Sequence, residues 1–188
     1  MKKIWIVLLI IVTIIIIIFA SFAGIYNSLV SSRENVTASW AQVENVLQRR
    51  GDLIPNLVNT VKGYASHEKT VFEEVTKARS AWSNASNVDD KVKAASSMDS
   101  AISRLLLVAE NYPNLKANQN FLQLQDELAG TENRIAVERM RYNQAARYYN
   151  VLIRVFPSNI VAGLFGFRER TEYFKAEEKS KIVPEVKF

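Results

Sequence analysis

The sequence contains no cysteine and a single histidine. Without cysteine there is no disulfide framework, no lipid-modified cysteine and no thiol nucleophile. One histidine and no cysteine also rule out a zinc site of the usual nitrogen and sulfur ligands from one chain. Phosphate-binding glycine loops, serine elbows and zincin helices are likewise missing. The excess of positive over negative charge is small too. The formal charge is +5, and Lys2 and Lys3 supply two of those charges. The remainder is too weakly basic to point to nucleic acid as a partner.

What the chain has in abundance is apolar sequence without interruption. Ile4 to Ala23 reads IWIVLLIIVTIIIIIFASFA, uncharged throughout. About twenty such residues, at roughly 1.5 Å of rise each, cross a hydrocarbon core of about 30 Å. Ser21-Phe22-Ala23 resembles a signal-peptidase site, but the apolar run is longer than a signal core, so a retained anchor is the preferred reading. Lys2 and Lys3 flank one end, and the other end offers no basic residue before Arg33. That asymmetry predicts a single-pass membrane protein, with its N-terminus in the cytoplasm and its domain outside.

Beyond the anchor, helical periodicity dominates. Steps of four and three pick out Val36, Trp40, Val43, Leu47, Arg50, Ile54, Leu57, Val61 and Tyr64, nearly all apolar or aromatic. Pro55 lies within this helix, and the carbonyl its ring would strike belongs to Gly51, so a kink is expected rather than a break. A second helix, about His67 to Ser83 and capped by Ser66, places Val71, Val75, Ala78 and Trp82 inward. A third, about Val88 to Tyr112, begins at a Ser86–Asp89 capping box and turns Val92, Ala95, Ile102, Leu106 and Ala109 inward. Asn118 caps a fourth, with a seam of Phe121, Leu124, Leu128, Thr131, Ile135, Glu138, Tyr142, Ala145, Tyr149, Leu152 and Phe156, ended by Pro157. The fold class expected is all-α: an N-terminal transmembrane helix followed by an antiparallel up-down-up-down four-helix bundle. The divisions are a basic flank (1–3), an anchor (4–24), the bundle (25–157), and an apolar turn with a charged tail (158–188).

Two places invite a functional reading. Arg50 interrupts an apolar seam, and a buried charge needs a partner; Asp52, Glu132 and Glu138 are the candidates. The preferred role is a register-fixing pair, and the alternative is a polar groove at Pro55 that receives a ligand or partner. Four passes return the chain to the membrane side, where Arg147, Arg154, Arg168 and Arg170 form a candidate basic patch for lipid headgroups. There Ile160, Val161, Leu164, Phe165 and Phe167 either complete the core, which is preferred, or touch the bilayer interface. His67, Glu68, Glu73 and Glu74 read as a solvated helix start rather than a catalytic or metal site. No cofactor and no enzymatic activity are implied.

Several segments together resemble one family. They are Tyr26-Asn27-Ser28-Leu29-Val30, Arg50-Gly51-Asp52-Leu53-Ile54-Pro55-Asn56-Leu57-Val58 and Tyr64-Ala65-Ser66-His67-Glu68. Tyr112-Pro113-Asn114-Leu115-Lys116-Ala117-Asn118, Thr131-Glu132-Asn133-Arg134-Ile135, Tyr142-Asn143 and Phe156-Pro157 follow in order. The chain is similar to the LemA family of bacterial membrane proteins. That resemblance implies an N-terminal anchor followed by a helical bundle, and it brings no catalytic mechanism. The expected function is an adaptor or scaffold for another membrane or envelope protein, with a sensor of a small ligand or anionic lipid headgroup as the alternative. The expected partners are therefore the lipid bilayer through Ile4 to Ala23 and an unidentified envelope protein, and no nucleic acid.

Overall fold

The computed structural model describes residues 2–174, and the expected charged tail beyond Phe174 lies outside them. Among the described residues all regular structure is helical: α1 (Lys2–Lys62), α2 (Lys69–Asn84), α3 (Val88–Ala109), α4 (Pro113–Lys116), α5 (Gln119–Arg154) and α6 (Ser158–Leu164). The apolar run and the first amphipathic segment are one helix of 61 residues. Gly24 alone stands between them, and one glycine costs about 1 kcal/mol of helix propensity, too little to break a helix anchored on both sides.

The chain forms two compact units. One comprises the residues up to Trp40 together with Arg141–Tyr173; the other comprises Ala41–Met140 and Phe174.

In the unit of residues 41–140, α1 buries Val43, Leu47, Arg50, Ile54, Leu57 and Val61, the seam set by steps of three and four. Tyr64 falls outside it because the helix has already ended at Lys62. The helix continues through Pro55, and the reason lies in a neighbouring side chain. Proline has no N–H to offer the Gly51 carbonyl four residues back. Arg79 of α2 donates to that carbonyl instead, from Nε at 3.0 Å. Trp82, one turn further along α2, packs its ring on Gly51.

α2 packs along α3. It starts after Glu68, not at a Ser66 cap, because Glu68 turns its carboxylate to accept from the Tyr112 hydroxyl and leaves its own helix uncapped. The inward face accordingly runs Phe72, Val75, Ala78 and Trp82, with Val71 half-buried. The cap of α3 is one residue later than Ser86–Asp89: Asn87 accepts from the Asp90 N–H at 2.8 Å and donates to the Asp90 carboxylate at 2.7 Å. α3 buries Ala94, Ala95, Met98, Ala101, Ile102, Leu105 and Ala109, while Val92 and Leu106 flank that face half-exposed. It ends at Ala109 rather than Tyr112, because Pro113 opens the separate turn α4, whose Leu115 is fully buried. Asn118 caps α5 as expected, accepting from the Phe121 N–H at 3.1 Å. Phe121, Leu128, Thr131 and Ile135 of α5 are buried, and Leu124 is half-buried.

The other unit buries Leu29, Ser32 and Val36 of α1 and Tyr142, Ala145, Ala146, Tyr149 and Ile153 of α5. The Trp40 and Tyr142 rings meet edge-on at 5.3 Å. The α5 seam closes on Ile153 rather than Leu152, and Phe156 is exposed, because the helix stops at Arg154 and the chain turns. Buried Ser158 donates to the carbonyls of Leu152 and Val155 at that turn. The expectation that α6 and its flank complete the core requires correction. Val161 and Ala162 are buried, but Ile160, Leu164 and Phe165 are exposed and Phe167 is half-exposed. Seven helical residues present one narrow face to the protein, and the remaining apolar side chains point away from it.

Candidate functional site

Arg50 emerges from the apolar seam of α1 only 6% exposed. A guanidinium in that position requires anions, and two arrive from different helices. Asp99 of α3 lies 2.7 Å from Arg50 Nη1, and Glu132 of α5 pairs with the same nitrogen. Arg139, two turns along α5 from Glu132, donates to the second Asp99 oxygen at 3.3 Å. Two cations and two anions from α1, α3 and α5 therefore close a neutral cluster. The half-buried Phe174 ring lies against Arg139, its centroid 5.0 Å from the guanidinium carbon.

The cluster is electrostatically tight but not ideally hydrogen-bonded. The Arg50–Asp99 contact is an ion pair without an aligned hydrogen bond, and Arg50 Nε and Arg139 Nε find no hydrogen-bond partner among the described residues. Burial raises the Asp99 carboxyl above its ordinary 3.8, against the downward pull of Arg50 and Arg139 and with help from Glu132. Desolvation therefore outweighs two adjacent cations.

Of the four residues expected here, Arg50 and Glu132 meet directly. Asp52 faces outward and accepts from Gln48 Nε2 at 2.9 Å, one turn back on the same helix. Glu138 is half-buried. The residues missed are Asp99, Arg139 and Arg79. Asp99 was within reach of the sequence pattern, because the steps Ala95–Asp99–Ile102 are four and three, so an acid occupies the inward face of α3. Arg79 had a signal as well: a mid-helix proline leaves one carbonyl to be satisfied from outside.

The expected basic patch is only partly a patch. Arg147, Arg154 and Arg170 line one concavity of about 350 Å³, together with Glu169. Glu169 accepts from Arg154 Nε at 2.8 Å and from its Nη2, and this pairing holds its carboxyl below the ordinary 4.5. Arg168 is exposed and does not line that concavity. Asn150, of the Tyr149-Asn150 dipeptide, holds the segment in place. It accepts from the Arg170 N–H at 2.8 Å and donates to the Arg170 carbonyl at 2.6 Å and the Tyr173 hydroxyl at 2.7 Å. Burial raises the Tyr149 hydroxyl above its ordinary value, against the pull of Arg170 and Arg33. His67 is exposed, and among the described residues no three metal-ligating side chains converge.

α1 also carries a stretch long and apolar enough to cross a membrane, none of it buried inside the protein. Comparison with known proteins places these features in a family. A LemA family model matches residues 39–188. Magnetosome proteins MamQ 1 and MamQ 2 of Paramagnetospirillum magneticum are 28% identical over 176 residues, covering 80% of this chain and 64% of each relative. The chain thus spans 64% of the length of those relatives. Protein LemA of Metamycoplasma hominis is 29% identical over 163 residues, covering 86% of this chain and 74% of its own. With most of its residues matched by the family model, and with a helical architecture led by a long apolar helix, the chain belongs to the LemA family.

Proposed function

We propose that the chain is a membrane-anchored, non-enzymatic adaptor of the bacterial inner membrane. Its N-terminus lies in the cytoplasm, and its helices form an extracytoplasmic up-down-up-down four-helix bundle. The bundle reading is supported by contacts within residues 41–140. Glu44–Lys91 and Arg50–Asp99 advance together along α1 and α3, whereas Arg50–Glu132 and, just past the end of α1 and at the cap of α5, Tyr64–Asn118 run in opposite senses along α1 and α5.

The observation that carries the adaptor role is an apolar stripe on α5. Tyr148 and Val151, with Val155 just past the end of the helix, are exposed at spacings of three and four, and Tyr148 borders a concavity of about 540 Å³ lined by Ser28, Ser31, Ser32, Glu34, Asn35 and Ala38 of α1. Contiguous exposed apolar side chains on a folded surface mark interaction sites. The Arg50 cluster, by contrast, is internally neutral, which suits a register lock better than a ligand groove.

A photo-crosslinking residue at Tyr148, introduced into cells and irradiated in intact membranes, tests this. The expected result is one reproducible protein adduct that Val151→Arg abolishes. Diffuse labelling unaffected by Val151→Arg contradicts the adaptor reading. A second reading, a sensor of anionic lipid headgroups, is favoured by the convergence of Arg147, Arg154 and Arg170 on one concavity. It requires that Arg147→Ala with Arg170→Ala weaken binding to phosphatidylglycerol vesicles while leaving the Tyr148 adduct intact.

A further inference from the structure

α6 leaves its most apolar side chains facing outward, and their position relative to α1 gives them an occupant. Leu164 and Phe165 are 71% and 61% exposed, in the same unit as the apolar run of α1. They form one wall of a groove of about 590 Å³ whose other wall is Ile15, Ile18, Phe19 and Phe22. The groove has no charged lining residue. From Ile15 to Tyr26 the helix rises about 16 Å. The groove therefore overlaps the last turns of the segment that crosses the hydrocarbon, rather than the region beyond it.

Polarity is graded along this end of the molecule in the order a bilayer imposes. The apolar groove comes first. At its end nearest Asn27, where Tyr26 also lines it, the Tyr26 ring meets Phe165 at 4.8 Å and Phe167 at 5.9 Å. Beyond those aromatics the Arg33 guanidinium lies 5.4 Å from the Phe167 ring centroid. Hydrocarbon, aromatic belt and cation is the sequence found at membrane boundaries. At the tip the Phe165 N–H bonds the Val161 carbonyl at 3.1 Å, and Gly166, with φ of 71°, turns the chain back so that the Phe167 N–H bonds the Ala162 carbonyl at 2.9 Å.

We infer that α6 is a second membrane-inserted element. Its Leu164–Phe165 tip enters the leaflet nearest Ala23 beside α1, and lipid acyl chains fill the groove between them. The inference rests on the reading of residues 4–23 as a membrane anchor, and it supplies a second point of attachment that would fix the tilt and rotation of the domain over the bilayer. The occupant is lipid because the groove is continuous with the lipid-facing surface of that anchor.

The absence of cysteine makes the test direct. Single cysteines placed at Leu164, Phe165, Ile10 and Gln123 of the full chain carry nitroxide labels in phosphatidylethanolamine–phosphatidylglycerol vesicles. Collision with oxygen, which concentrates in hydrocarbon, is compared with collision with a water-soluble nickel chelate. The expected result is that labels at Leu164 and Phe165 lose nickel collisions and gain oxygen collisions to the level at Ile10, while Gln123 shows the reverse. Nickel access at Leu164 equal to that at Gln123, with Ile10 protected, overturns the insertion of α6 and leaves the anchor standing. Protection of Leu164 from both reagents overturns it in favour of a protein contact. Nickel access at Ile10 overturns both readings together.

Discussion

Replacing Arg50 by alanine probes the buried cluster most sharply. The Glu132 side chain is 48% exposed, so water takes over its solvation and its loss of Arg50 costs little. Asp99 is the sensitive partner, with a side chain only 16% exposed. Removing one member of a buried pair costs about 3–5 kcal/mol. Because Asp99 retains Arg139 at 3.3 Å, the lower end applies, about 3 kcal/mol. With a urea dependence of about 2 kcal/mol per molar, the unfolding midpoint falls by about 1.5 M. Urea titration of the full-length protein in detergent, followed by circular dichroism, measures this. Arg49→Ala, an exposed neighbour, is the control and changes stability by less than about 0.5 kcal/mol. The deficit also depends on pH, and its sign follows from linkage. The folded-state carboxyl of Asp99 lies above its unfolded value of 3.8, so its buried charge costs stability at neutral pH and that cost is relieved as pH falls through the folded value. Loss of Arg50 raises the carboxyl further. The difference between Arg50→Ala and the parent therefore shrinks as pH falls from neutrality toward the ordinary carboxylate range. Equal shifts for Arg49→Ala and Arg50→Ala, or a deficit that grows on acidification, would refute the reasoning.

Further outcomes follow from other contacts. Arg79→Ala strips the Gly51 carbonyl of its donor and costs about 1–2 kcal/mol, whereas in a Pro55→Ala background the helix supplies its own donor and the same change costs much less. A four-variant urea cycle measures that coupling, and its absence removes Arg79 from the account of Pro55. Gly51→Ala stabilises by up to about 1 kcal/mol, since the added Cβ would lie 3.6 Å from Trp82, an ordinary contact; a loss of stability means the ring packs closer than this. Asn150→Ala frees the Arg170 backbone and exposes the chain after Gly166 to protease, with a stability loss of about 2 kcal/mol. Acidification also weakens the Arg154–Glu169 pair. The Glu169 carboxyl is held below 4.5, so its contribution is present above that value and is lost as pH falls through the lower folded value, which protease access to the same segment reports.

The elements that sequence made legible are those governed by long periodic patterns. The α1 seam from Val36 to Val61 and the Asn118 cap follow from spacing and side-chain chemistry, and both stand in the structure. Caps at short connections were less legible, because two adjacent polar residues compete and tertiary partners decide between them. Glu68 is taken by Tyr112, and Asn87 outcompetes Ser86 through its two-way bond with Asp90. The site was half legible. Arg50 and Glu132 announce themselves as charges on or beside apolar seams, but between Ile135 and Tyr142 the period admits Glu138 and Arg139 alike, and only the packing decides for Arg139. Apolar composition alone assigned Leu164 and Phe165 to the core, but a short helix such as α6 turns only one narrow face inward, and Val161 and Ala162 occupy it.

The central claim is that α1 crosses the membrane once and carries the rest of the chain to the side opposite Lys2 and Lys3. Alkaline phosphatase, active only outside the cytoplasm, and a fluorescent protein that matures only within it, fused separately after Phe188, test that claim in cells. The account expects phosphatase activity without fluorescence; fluorescence without phosphatase activity contradicts it.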